Sequence, residues 1–419
     1  MQKLIIKGKR ELKGSISISG SKNSSLPILA ASILAQKVRL KNVPLVKDIF
    51  TMVELLNFIG LKTNLIKKKN VIEIINEDKN INTLAPYKLV KTMRAGVLVL
   101  GSLLAKYGKA RVSLPGGCAI GTRPVNLHLL ALKKLGARIK IKDGYIFAEA
   151  KKGLQGTIIT FPSVSVGATE NALLASIKAK GKTILKNCAV EPEIIDLIFF
   201  LKKLGARINI NGRTIIILES KIKNSKITHK VIFDRIELGT YMIAGALLAK
   251  KKLSIKGINP KIVKSEIDIL RKVGTQILTK KSSIIIKRNK KLKKINLTTK
   301  PYPGFPTDLQ AQLMVLLTQS YGTSKIKEDI FENRFMHVPE LKRMGANIEI
   351  KNKTAIIKGP TKLTGAEVMA TDLRASVSLV LAGLVAENRT IINRIYHLDR
   401  GYEFLEKKLK NCKAEIKRI

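Results

Sequence analysis

Apolar residues between 193 and 204 fall at Ile194, Ile198, Leu201 and Leu204, which share one face of a 3.6-residue period. That spacing predicts an amphipathic helix, with Gly205 placed to cap it. Residues 206–210 then begin a strand, Asn211-Gly212 supplies a two-residue hairpin turn, and 214–219 return as the partner strand. Upstream, 170–180 have helical composition and are expected to end at Gly181, and 182–187 alternate as a strand does. The predicted unit is helix–strand–helix–strand–strand, with a further strand expected at its start.

The same phrase, ending a helix and opening a strand, recurs along the chain. It reads Asn57-Phe-Ile-Gly-Leu-Lys-Thr63, Lys133-Lys-Leu-Gly-Ala-Arg-Ile139, Lys202-Lys-Leu-Gly-Ala-Arg-Ile208, Arg271-Lys-Val-Gly-Thr-Gln-Ile277, Lys342-Arg-Met-Gly-Ala-Asn-Ile348 and, degraded, Lys410-Asn-Cys-Lys-Ala-Glu-Ile416. Gly60, Gly136, Gly205, Gly274, Gly345 and Lys413 mark the copies at spacings of 68 to 76 residues, the signature of a duplicated supersecondary unit. Six units divide as three plus three into domains of ordinary size, and the polar stretch 220–230 is the expected crossover. Two similar lobes would hold a ligand cleft between them and close about a hinge.

Composition narrows the class. A chain of 419 residues with 45% hydrophobic content is globular and long enough for more than one core. Cys118, Cys188 and Cys412 are widely spaced, and His128, His229, His337 and His397 are scattered. That pattern argues against a disulfide framework or a metal site and for a reducing, cytoplasmic setting, with no cofactor. No signal-peptide pattern opens the sequence, and its apolar runs are too short for a bilayer, so no membrane partner is expected. The net charge of +48 suggests nucleic acid at first sight. Yet lysine is spread over the whole chain, aromatic residues are 5% and tryptophan is absent, so stacking platforms are poorly supplied. Drift toward lysine, isoleucine and asparagine explains the charge better, although it can still gather anionic small molecules.

Candidate chemistry concentrates in a few segments. Leu114-Pro-Gly-Gly-Cys-Ala-Ile-Gly-Thr-Arg-Pro-Val125 sets a thiol among glycines, with Arg123 five residues beyond it. Fixed positive charge lowers a thiol pKa and makes it a usable nucleophile or acid. Gly20-Ser-Lys-Asn23 precedes the helical stretch 26–34, where backbone N–H groups and Lys22 could meet a phosphate. Arg94, Arg123, Arg374 and Arg400 are arginines kept in a lysine-dominated chain, which points to paired hydrogen bonds to anions. Asp308, in Phe305-Pro-Thr-Asp-Leu-Gln-Ala-Gln312, lies where a loop enters a helix and is placed to cap it, a role Thr307 could also fill.

Together these segments and the six-unit pattern resemble the UDP-N-acetylglucosamine 1-carboxyvinyltransferase family of enolpyruvyl transferases, from Lys3 to Ile416. The resemblance implies an α/β (α+β) fold, an inside-out α/β barrel of two lobes with three helix-and-sheet units each. Residues 22–230 would form the first lobe, inserted into a second made of 1–21 and 231–419. It also implies transfer of the enolpyruvyl group of phosphoenolpyruvate to the 3′-hydroxyl of UDP-N-acetylglucosamine, with release of phosphate.

Carried over by motif, Cys118 is the acid that protonates phosphoenolpyruvate, Asp308 the base and Lys22 a charge stabiliser. Lys22, Asn23, Arg123, Arg374 and Arg400 would hold phosphoenolpyruvate. Arg94, Arg123, Pro124, Val125, Asn126, Leu127, Ser163, Val164, Ser165, Val166, Asp308 and Ile330 would hold the nucleotide sugar. The resemblance further implies that fosfomycin, an epoxide resembling phosphoenolpyruvate, alkylates Cys118. Phe331-Glu-Asn-Arg-Phe-Met-His-Val338 and Asp234-Arg-Ile-Glu237 also match and are assigned structural or hinge roles. Asn126 stands where the family usually has aspartate, and Lys413 replaces the glycine of the last repeat. The alternatives are a shikimate 3-phosphate enolpyruvyl transferase and a basic nucleic-acid-binding protein.

Overall fold

The repeated phrase folds as its spacing predicts. In the computed structural model, which describes residues 2–116, 125–222 and 226–419, the helix Pro192–Lys203 is followed by strand Arg207–Asn211, a turn at Gly212 and strand Thr214–Leu218. The hairpin register pairs Asn211 with Thr214 and Arg207 with Leu218. Thr183–Lys186 joins the far side of Thr214–Leu218, and Ile158–Thr160 adds in parallel as the expected opening strand. Five marker glycines have φ between 92° and 112°, the left-handed conformation a helix stop requires. One expectation shifts: the helix placed at 170–180 runs instead over Val166–Ser176, because Ser165 caps it early.

Among the described residues the pattern yields six four-stranded sheets of like order. Contacts divide these residues into two units, 2–19 with Phe233–Ile419 and the described part of 20–232. Each unit has its own hydrophobic core and three of the sheets. The first strand of the chain, Leu4–Lys7, lies between Arg389–Asn393 and Glu415–Arg418, so both ends of the sequence share one sheet.

The polar stretch expected as a crossover contributes a strand instead. Lys226–Lys230 alternates buried Ile227 and His229 with exposed lysines and threonine, and pairs in parallel with Lys37–Lys41. The alternation, rather than the polar composition, decides its structure.

Helices form the interior of each unit and sheets its outside. Arg235–Leu248 is buried at every residue, as is Gln310–Leu317, and Val166–Ser176 is buried from Ala168 onward. A helix that is apolar on all sides needs neighbours on all sides. The strands bury alternate residues inward and turn lysines outward, as in Lys37–Lys41. Each unit has the inside-out α/β arrangement that the resemblance implies. No helix of the described residues is long and apolar enough to cross a membrane.

Candidate functional site

Lys22 and Asn23 lie inside the first turn of the helix Lys22–Ala31, not in the loop before it. Ser21 is the cap: its side chain accepts the Ser24 N–H, and the sequence signal was masked by Pro27 within the helix. Lys22 is buried, and its Nζ is 3.3 Å from Asp48 Oδ2. Arg94 opens the short helical turn Arg94–Leu98 of the same unit.

Val125 and Asn126 start the helix Asn126–Lys134, with Asn126 exposed and Leu127 half-buried. Ser163 and Val164 form the approach to the helix Val166–Ser176, and Ser165 caps it by accepting the Ala168 N–H at 3.3 Å. Val166 is exposed at that helix start. Cys118, Arg123 and Pro124 lie outside the described residues.

His128, which the sequence left as one scattered histidine, is buried beside this segment. Its Nδ1 faces the Asn171 amide at 3.1 Å, and a Cβ built on Gly167 would come within 3.0 Å of its ring. Burial and the Arg94 charge push the imidazole down to about 3, so it is neutral at physiological pH. The other two thiols are poorly suited to acid–base work. Burial pushes Cys188 up to about 12 and Cys412 up to about 11.

In the other unit Asp308 sits on the short turn Thr307–Leu309 that leads into Gln310–Leu317. It does not cap the helix. Its Oδ1 accepts from Arg334 at 2.7 Å and its Oδ2 from Arg374 at 2.6 Å. Nor does Thr307 cap: its hydroxyl donates to Glu328 at 2.9 Å, and Glu328 also takes the backbone N–H groups of Ile330 and Phe331. Glu328 therefore ties the Asp308 turn to the Ile330 segment.

Arg374 is the second residue of the helix Leu373–Val385, whose cap is Asp372, and also donates to the Tyr402 hydroxyl at 3.3 Å. Burial alone would weaken its hold on its proton, but the Asp308 carboxylate more than reverses this and raises its pKa. Arg400 ends the helical turn Ile395–Arg400. Arg334, read from sequence as structural, is the residue that reasoning missed. No sequence signal marked it apart from being one more arginine in a motif, because its role appears only once the fold brings it to Asp308. Among the described residues no grouping of His, Cys, Asp and Glu could hold a metal ion.

One unit thus holds a carboxylate gripped by two guanidinium groups, and the other holds a buried lysine at a capped helix start. A family profile described as EPSP synthase (3-phosphoshikimate 1-carboxyvinyltransferase) matches residues 6–409. The chain belongs to the EPSP synthase family of enolpyruvyl transferases. Within this family it is 57% identical, over the full length of both chains, to a Pelagibacter ubique (strain HTCC1062) protein named UDP-N-acetylglucosamine 1-carboxyvinyltransferase. It is 52% identical, again over both full lengths, to the Rickettsia rickettsii (strain Sheila Smith) protein of the same name.

Among solved structures, the enolpyruvyl transferase NikO from Streptomyces tendae superposes with a TM-score of 0.90 at 25% identity, covering 100% of this chain and 98% of that one. EPSP synthase from Acinetobacter baumannii gives 0.76 at 18% identity, covering 100% and 99%, a likeness of fold alone.

Proposed function

We propose that this enolpyruvyl transferase moves the enolpyruvyl group of phosphoenolpyruvate to the 3′-hydroxyl of UDP-N-acetylglucosamine, releasing phosphate, as the first committed step of peptidoglycan precursor synthesis in the cytoplasm. The observation that carries this reading is end-to-end identity of 52–57% to proteins of that name. Supporting it, the chain keeps Lys22, Cys118, Asp308 and the arginines that the chemistry asks for.

In this mechanism Asp308 accepts the proton of the sugar hydroxyl, whose oxygen attacks C2 of phosphoenolpyruvate. The Cys118 thiol gives a proton to C3, so the addition leaves a tetrahedral ketal bearing both the sugar and the phosphate. Loss of a proton from C3 and cleavage of the C2–O bond to phosphate restore the double bond and release phosphate. Lys22, Arg123, Arg374 and Arg400 stabilise the phosphate and carboxylate charges throughout.

Both Asp308 oxygens are already engaged by guanidinium groups, yet each carboxylate oxygen has a second lone pair to accept the hydroxyl proton. The two arginines fix the direction in which that lone pair points. Asp308→Ala should lower turnover by about 100-fold or more, in the range of general-base removal. Wild-type turnover in that variant would remove Asp308 as the base.

A further inference from the structure

Lysine is a flexible side chain that normally keeps its ammonium in water. Lys22 instead is 9% exposed, and its Nζ meets Asp48 Oδ2 at 3.3 Å with Asp48 only 4% exposed. Asp48 is the second residue of the helix Lys47–Ile59, where the helix end favours a carboxylate and Val46 supplies no side-chain cap. It is therefore a rigid acceptor on a second element.

The backbone beneath Lys22 is anchored by a different acid. The Ser24 hydroxyl donates to Asp196, which also faces His229 Nε2 at 2.9 Å and accepts the Ile232 N–H at 3.2 Å. The Ser21 N–H donates to the Ile232 carbonyl at 2.7 Å. One carboxylate thus holds the start of the lysine's helix and another holds the far end of its side chain.

We propose that Asp48 is a positioning residue, holding the Lys22 ammonium where it meets the phosphate group of phosphoenolpyruvate. The proposal rests on the reading of Lys22 as an anion ligand. A carboxylate beside an anion site also repels the anion, so a mere counter-charge and a positioning group predict opposite signs. If Asp48 only neutralised a buried lysine, its removal would tighten anion binding. If it fixes the ammonium, its removal loosens binding, because the lysine regains its rotamers.

The test is a calorimetric titration of inorganic phosphate into the full-length protein saturated with UDP-N-acetylglucosamine, beside steady-state kinetics. Asp48→Asn should weaken phosphate binding and raise KM for phosphoenolpyruvate by about tenfold each, with KM for the nucleotide sugar unchanged. Asp48→Glu keeps the charge but moves it by one methylene, and should lose a smaller part; it carries the test if Asp48→Asn does not fold. The double variant Lys22→Met/Asp48→Asn should bind phosphate no more weakly than Lys22→Met alone, since both changes remove one interaction.

Unchanged or tighter phosphate binding in Asp48→Asn or Asp48→Glu, or additive losses in the double variant, would overturn the proposal. So would a wild-type protein that binds no phosphate. A wild type that binds phosphate yet makes no product would instead sink the transfer reading, and the titrations would still decide the role of Asp48.

Discussion

At the scale of single residues, the sequence exposes groups whose type is rare or whose neighbours are unusual. Asp308 stood out through its Phe-Pro-Thr-Asp setting, and Arg374 through persistence in a chain rich in lysine. Their mutual contact was not legible, because they are 66 positions apart and only the fold joins them. The contact of Arg334 with Asp308 was hidden for the same reason. With its side chain 4% exposed and 2.7 Å from Asp308, it fixes one carboxylate oxygen as Arg374 fixes the other. Arg334→Leu should lower kcat by about 100-fold through misdirection of Asp308, while KM for phosphoenolpyruvate changes little. Steady-state kinetics that show the loss in KM instead would make Arg334 a substrate ligand and not an orienting group.

Elements were legible where period and punctuation agreed, as in the hairpin at Asn211-Gly212, and misplaced where a cap overrode composition, as at Ser165 and Ser21. The last repeat is instructive. Lys413 takes φ +73°, the left-handed conformation that glycine supplies in the other copies, so the helix Leu405–Asn411 still stops on schedule. A side chain in that conformation costs about 1 kcal/mol, and Lys413→Gly should raise stability by about that amount in denaturant unfolding. A loss of stability would show that the Lys413 side chain contributes more than its backbone costs.

The same terminal helix carries Lys408, whose Nζ lies 2.6 Å from Glu237 Oε1 and 2.6 Å from the Ser19 hydroxyl. Burial pushes the Glu237 carboxyl up, to about 7, with Lys408 pulling it back. Its folded value lies above the ordinary carboxylate range. Its contribution to stability is therefore complete below about pH 4.5 and is lost as pH rises through about 7. Lys408→Met leaves a buried carboxylate without its cation and should destabilise the protein by about 3 kcal/mol at pH 8. That loss should shrink toward pH 5, where Glu237 folds protonated; a loss independent of pH would assign the effect to packing.

For the whole molecule, the repeat spacing gave the six-unit plan directly, since each unit must bury its own helices behind its own sheet. The strand Lys226–Lys230 escaped notice because its buried Ile227 and His229 are outnumbered by polar neighbours. Part of the +48 charge lies on lysines that the strands turn outward, as at Lys37 and Lys41, where it can draw anionic substrates without contacting them.

The residues assigned to substrates come from both units, Lys22, Asn23 and Arg94 from one and Asp308, Arg374 and Arg400 from the other. The most direct test of that joint assignment is phosphate release from phosphoenolpyruvate, measured with and without UDP-N-acetylglucosamine, for the wild type and Cys118→Ser. Release that requires both substrates and falls in the variant is the predicted result. Release that needs no nucleotide sugar, that needs shikimate 3-phosphate in its place, or that is absent altogether would contradict the account.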